Sequence, residues 1–175
     1  MVLERRTGPI INQRDAGGLI SFVLPAFRAT KQGSSTDQTG IVSGVKTLVI
    51  WNIVDFDDPF PKDTFNLIPT HDYVPSESGK YIMTATIRWL APVDQASFRL
   101  NIEKNGVAIA TEEKRPSGTG DMNQTVETLT ETVGGGVDSF RVTVLHTGGG
   151  SQTILASTLR FRNAFEGFRI YERTS

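Results

Sequence analysis

The sequence predicts an all-β fold, a jelly-roll β-sandwich, and three observations predict it. No stretch of the 175 residues repeats apolar residues at i, i+3, i+4 and i+7 over three turns. Short alternating runs are separated instead by Gly, Pro, Asp and Ser clusters, the pattern of antiparallel sheets. About eight to ten strands in one chain is the count of a double-sheet jelly roll. An immunoglobulin sandwich would hold fewer strands and its usual cysteines, and this chain has no cysteine.

In chain order, residues 1–23 carry polar punctuation at Gly8-Pro9 and Gly17-Gly18 and read as a short extended N-terminal arm. Residues 24–175 are expected to form the jelly-roll domain. Strands fit Ala26 to Thr30 and Leu48 to Val54. The clearest strand is Lys80 to Leu90, where Tyr81, Met83, Ala85, Ile87 and Trp89 alternate against Thr84, Thr86 and Arg88. Phe98, Leu100 and Ile102 alternate with Arg99, Asn101 and Glu103, and Asn105-Gly106 supplies the positive φ angles of a two-residue hairpin turn into Val107 to Thr111. Further strands are expected over Gln124 to Thr132, Phe140 to Val144, Ile154 to Phe161 and Phe168 to Glu172.

Composition narrows function mainly by exclusion. Eighteen Lys and Arg stand against 19 Asp and Glu, a net charge of −1 that argues against a sequence-independent nucleic-acid binder. The lack of cysteine removes disulfides, thiolate zinc sites and a cysteine nucleophile. No run approaches the ~18 to 20 apolar residues a bilayer-spanning helix requires, so membrane insertion is not expected. Gly17 to Phe27 follows Arg5, Arg6 and Arg14 but is flanked by Asp15 and interrupted by Pro25, a poor match to a cleaved leader.

The catalytic inventory is equally thin. The two histidines, His71 and His146, accompany no G-x-S-x-G elbow, and Gly79-Lys80 lacks the rest of a phosphate loop. Gly134 to Gly136 and Gly148 to Gly150 read as loop tips. Arg160, Arg162, Arg169 and Arg173 interleave with Phe161 and Phe168, which an ordinary half-buried strand also requires. Asp55, Asp57, Asp58 and Asp63 form the one dense acidic cluster. Their oxygens suit calcium, or a solvated acidic loop, and they lack the ligand register of a calcium hand.

Several segments resemble the complement-1q globular head, the tumour-necrosis-factor-like jelly roll. They are Pro25 to Ala29, Val49 to Asp57, Tyr73 to Tyr81 with its Pro75, Gly79 and aromatic Tyr81, Phe98 to Gly106, and Phe165 to Tyr171 with a Phe-x-Gly-Phe closing strand. Gly136 and Asp138 sit at the family's Gly-Asp turn but are separated by Val137. The similarity runs over residues 24 to 172 in the family's order. It implies a homotrimer with aromatic and aliphatic side chains about a threefold axis, for which Tyr81, Trp89, Phe161 and Tyr171 are the candidates. It also implies calcium near the axis or apex in some members, for which the four aspartates are the candidates.

The chain opens near Met1 without a collagen stalk, which shifts the expectation toward the stand-alone jelly rolls of bacteria and their viruses. The leading expectation is a non-enzymatic, trimeric virion structural protein of a tailed bacteriophage, a capsid decoration or a tail or fibre component. The arm would hold capsid or tail proteins through Ile10, Ile11, Leu19, Ile20 and Phe22, with Arg5, Arg6 and Arg14 as polar anchors. The alternative is a receptor- or carbohydrate-binding module that meets a host-surface glycan through loops such as Glu113 to Asn123 and Gly148 to Gln152.

Overall fold

The computed structural model describes residues 10–15, 18–23, 26–33, 36–57, 64–118, 120–134, 136–156 and 163–170, with backbone alone at 10–15, 18–23, 56–57 and 64. Among the described residues every regular element is a strand. In order they are β1 Ile10–Asp15, β2 Gly18–Val23, β3 Ala26–Thr30, β4 Gln38–Val42, β5 Thr47–Leu48, β6 Ile53–Asp57, β7 Thr64–Asn66, β8 Asp72–Val74, β9 Gly79–Trp89, β10 Phe98–Lys104, β11 Val107–Lys114, β12 Met122–Thr132, β13 Phe140–His146, β14 Ser151–Ile154 and β15 Ala164–Ile170.

Two antiparallel sheets make the sandwich. One runs β11-β10-β13-β8-β7, with β5 also on β13. The other runs β4-β14-β9-β15-β3-β6, with β12 along the remaining side of β9. Strand β9 is the spine of the second sheet because its eleven residues alternate strictly, so Tyr81, Met83, Ala85, Ile87 and Trp89 are all fully buried on one face. Phe98, Leu100 and Ile102 of β10 and Phe140, Val142 and Val144 of β13 meet them from the first sheet.

Aromatic rings fill the space between the sheets. Phe27 stacks on Tyr73 with centroids 3.8 Å apart and meets the edge of Phe165 at 4.8 Å, while Trp89 packs edge-on against Phe98 at 5.0 Å. Such pairs contribute about 0.5–1.5 kcal/mol each beyond the area they bury. Gly167 is required by this packing: a Cβ there would come within 2.8 Å of the Phe27 ring and 2.9 Å of the Ile82 carbonyl. Phe27 is the aromatic that approaches Gly167, whereas Phe168 is on the exposed face.

Local turn chemistry follows the sequence. Asn105 and Gly106 have φ of 51° and 82°, and they join β10 to β11 as the two-residue hairpin. Gly79 opens β9 at φ 152°, with Arg169 packed where a side chain would stand.

Other expectations need correction. Leu48 to Val54 is not one strand: β5 ends at Leu48 and β6 begins at Ile53, with Val49 and Asn52 keeping single backbone bonds to Val142 and Thr30 between them. In that gap the buried Gln38 side chain takes over the pairing, accepting from the Ile50 amide at 2.8 Å and donating to the Leu48 carbonyl at 2.7 Å. The strand expected from Ile154 ends there instead of starting there, as β14; Phe161 lies outside the described residues. Within the N-terminal arm the described residues form a hairpin. Strands β1 and β2 pair from Ile10↔Val23 to Asp15↔Gly18 as a two-stranded sheet apart from the other two. Pairing satisfies backbone groups that a lone extended arm would leave to water.

Candidate assembly face and loop cluster

The two ends of the sandwich differ in what they carry. Ala26 at the start of β3, Phe168 and Ile170 at the end of β15, and Gly79 at the start of β9 lie in register at one end, so the chain enters and leaves the domain together there. At the opposite end the connections after β9, β11 and β13 converge. The Gly118 amide donates to Asp94 at 2.9 Å, the Gln95 amide to the Pro116 carbonyl at 3.0 Å, and the Thr147 amide to the Ser97 carbonyl at 3.0 Å. Gly148 packs so close to Val93 that an added Cβ would stand 3.0 Å from it. The loops expected over Glu113 to Asn123 and Gly148 to Gln152 are thus brought to one surface, with residues 90–97 between them.

His146 belongs to the structural support of that end. It is fully buried against Phe98, with its Nε2 on the Ile41 carbonyl at 2.8 Å and its Nδ1 accepting from the Gly148 amide at 3.2 Å. His71 is half-buried at φ 47°. Burial first, then Lys31, lower its pKa, against a hydrogen bond to the Trp51 backbone and the charge of Asp72.

The outer faces of the two sheets also differ. On β10 and β13 the central outward residues Asn101, Glu103 and Thr143 are polar and buried. Glu103 is 1% exposed and accepts from Lys46, Arg141 and Thr143, each at 2.9 Å. Burial resists its ionisation, but the hydrogen bonds from Lys46, Arg141 and Thr143 prevail and lower its pKa. Asn101 extends the network, donating to Thr143 at 3.3 Å and accepting from Thr111 at 2.8 Å.

On the β12-β9-β15 face, register sets three apolar residues side by side. Leu129 lies opposite Ile82, and Ile82 opposite Phe168. Leu129 is 61% exposed and Phe168 43%, and Ile82 is half-buried between them. Charges border this row on both sides. Lys80 and Glu131 stand 3.9 Å apart in the next row toward the chain ends, and Arg28 lies 3.5 Å from Glu166 on the other side. A desolvated apolar strip rimmed by polar groups is the anatomy of a protein interface.

The predicted interface aromatics are placed differently. Tyr81 and Trp89 are fully buried inside the single chain and cannot meet a neighbour, because the phase of β9 turns them into the core. Tyr81 packs near Tyr73, and the Trp89 indole donates to Gln124 at 3.1 Å. Phe161 and Tyr171 lie outside the described residues. Leu129, Ile82 and Phe168 are not among the residues the sequence singles out for an interface. The available signal was Ile82, an apolar residue at the solvent phase of β9 among Lys80, Thr84, Thr86 and Arg88.

Of the acidic cluster, Asp55 is engaged within the chain, 3.6 Å from Arg28 and accepting from Gln32 at 3.3 Å. The Asp57 side chain, Asp58 and Asp63 lie outside the described residues, as do Arg5 and Arg6. Among the described residues no three His, Asp or Glu side chains gather as a metal-ligand group. Arg169 pairs with Glu77 beneath Gly79; Arg160, Arg162 and Arg173 also lie outside the described residues.

No family model and no curated protein sequence matches the chain. Solved structures do. The globular domain of the zebrafish complement 1qA protein superposes with a TM-score of 0.56 at 14% identity, covering 85% of this chain and 99% of that one. The structure of Eiger, a tumour necrosis factor from S. frugiperda, superposes with a TM-score of 0.51 at 13% identity, covering 87% and 96%. The fold is the complement-1q and tumour-necrosis-factor-like jelly roll, as the sequence motifs implied.

Proposed function

We propose that the chain is a non-catalytic, homotrimeric binding or structural module. It assembles through the Leu129–Ile82–Phe168 face and presents the loop cluster at the opposite end. The observation that carries this reading is the exposed apolar row itself. A single chain buries its core, yet leaves Leu129 and Phe168 exposed on either side of a half-buried Ile82 in one continuous row. The complement-1q-like resemblance supports three as the number of copies.

A row on one strand set and a different contacting surface on the next copy make a heterologous contact, which closes only as a ring. The separation of chain ends from loop cluster suits a module held at one end and recognising a partner at the other. The narrower reading, a bacteriophage capsid decoration or tail component located in the virion, rests on the sequence alone. Calcium bound by the aspartate cluster likewise stands as a proposal from sequence.

Light-scattering mass behind size-exclusion chromatography on the full chain tests the assembly. A mass near three times 19.2 kDa is expected. A monomer at micromolar concentration overturns the reading.

A further inference from the structure

We propose that, in the assembled protein, the β1-β2 hairpin of one copy lies across the Leu129–Ile82–Phe168 row of a second copy. The inference rests on the trimeric reading and names the group that covers the row.

The hairpin forms its own two-stranded sheet, and an isolated two-stranded hairpin is marginal in water. It therefore requires a surface. Its register shows how much surface. The consecutive pairs Ile10↔Val23 and Ile11↔Phe22 fall at opposite strand phases, as do Gln13↔Ile20 and Arg14↔Leu19. Apolar positions thus occur on both faces of the ribbon, which suits a layer held between two surfaces better than a flap on one.

The tether places the ribbon beside the row. Two residues join Val23 to Ala26, a span of about 10 Å at most, and Ala26 is the register partner of Phe168. Leu129 and Phe168 are 61% and 43% exposed within the single chain. A neighbouring copy offers the same row and needs the same cover, and around a threefold axis each copy donates one hairpin and accepts one.

The absence of native cysteine makes the test direct. Full chains carrying Leu129→Cys together with either Phe22→Cys or Val23→Cys are oxidised and run on a non-reducing gel. The two hairpin positions belong to opposite ribbon faces, so one pairing is expected to crosslink strongly and the other weakly. The expected product is a ladder ending at covalent trimer, whereas each single variant stops at dimer. Crosslinks confined to monomer would place the hairpin on its own chain and overturn the exchange. So would failure of both pairings in a sample whose mass is trimeric. A monomeric mass would overturn the trimeric reading together with the exchange that depends on it.

Discussion

The outer face of β10 and β13 and the outer face of β12, β9 and β15 solve the same problem differently. Both are the solvent side of a sheet whose other side packs into the core. The first buries a carboxylate, Glu103, and surrounds it with two cations and a hydroxyl from the same chain. The second exposes an apolar row, although its neighbours in the same strands are Lys80, Thr84, Glu127 and Glu131. The first face needs nothing from outside. The second leaves apolar surface in water, and that difference is what the proposed assembly face rests on.

The largest effect is expected on the closed face. Replacing both cations, Lys46→Met with Arg141→Met, leaves Glu103 buried beside Thr143 alone. Removing the partners of a buried charge is expected to cost about 3 to 5 kcal/mol, read from urea unfolding at pH 7. The pH dependence should reverse as well. In the native chain the Glu103 pKa is lowered, so its stabilisation is present above its unfolded value of about 4.3 and fades as pH falls. In the double variant only the Thr143 hydrogen bond opposes burial, the largest cause, so the pKa is expected to rise and stability to fall as pH rises through that value. An unchanged pH profile would show that the cluster is not a closed electrostatic unit.

A smaller effect is expected at Asp138, which ties the β12–β13 connection to the β10–β11 turn. Burial resists its ionisation, but the Val133 amide, Lys104, Asn105 and Thr132 outweigh burial and hold the carboxyl at about 2 instead of 3.8. That difference corresponds to about 2 kcal/mol. The sign is that of a lowered acid: the stabilisation is full above the unfolded value and disappears as pH falls from about 4 to about 2. Asp138→Asn should flatten the stability profile in that window. A profile parallel to the native one would assign the acid sensitivity elsewhere.

Much of the sandwich was legible in the residues because it depends on short-range rules. Alternation in β9 fixes which side chains enter the core, and Asn105-Gly106 admits only turns with positive φ. The close approach at Gly167 follows a similar rule, since a missing Cβ in a strand lets a neighbouring ring come close. The exposed apolar row was not legible because it depends on register across three strands. Ile82 and Phe168 are far apart in sequence, and nothing local states that they and Leu129 stand side by side. For the two candidates on β9, Tyr81 and Trp89, the phase that makes them conspicuous also buries them. The same limit applies to the loop cluster. The loops were recognisable as loops, but their meeting at one end follows from strand order.

The smallest effect on stability should accompany the largest change in mass. Leu129→Lys replaces a side chain 61% exposed in the single chain, on an outward position flanked by Glu127 and Glu131. Surface substitutions of this kind usually alter folding stability by about 0.5 kcal/mol or less, and the nearby acids accommodate the new cation. Across an interface the same lysine must be desolvated against apolar groups, which is unfavourable without a partner charge. The variant is therefore expected to keep the unfolding midpoint of the isolated domain, measured at dilutions where the native chain is also dissociated. Its mass should drop to that of one chain at concentrations where the native protein is a trimer. Asn123→Lys, farther along the same strand and outside the row, should leave the mass unchanged. If both lysines dissociate the assembly equally, charge alone is responsible. If only Leu129→Lys does, the apolar row is the surface that holds the copies together.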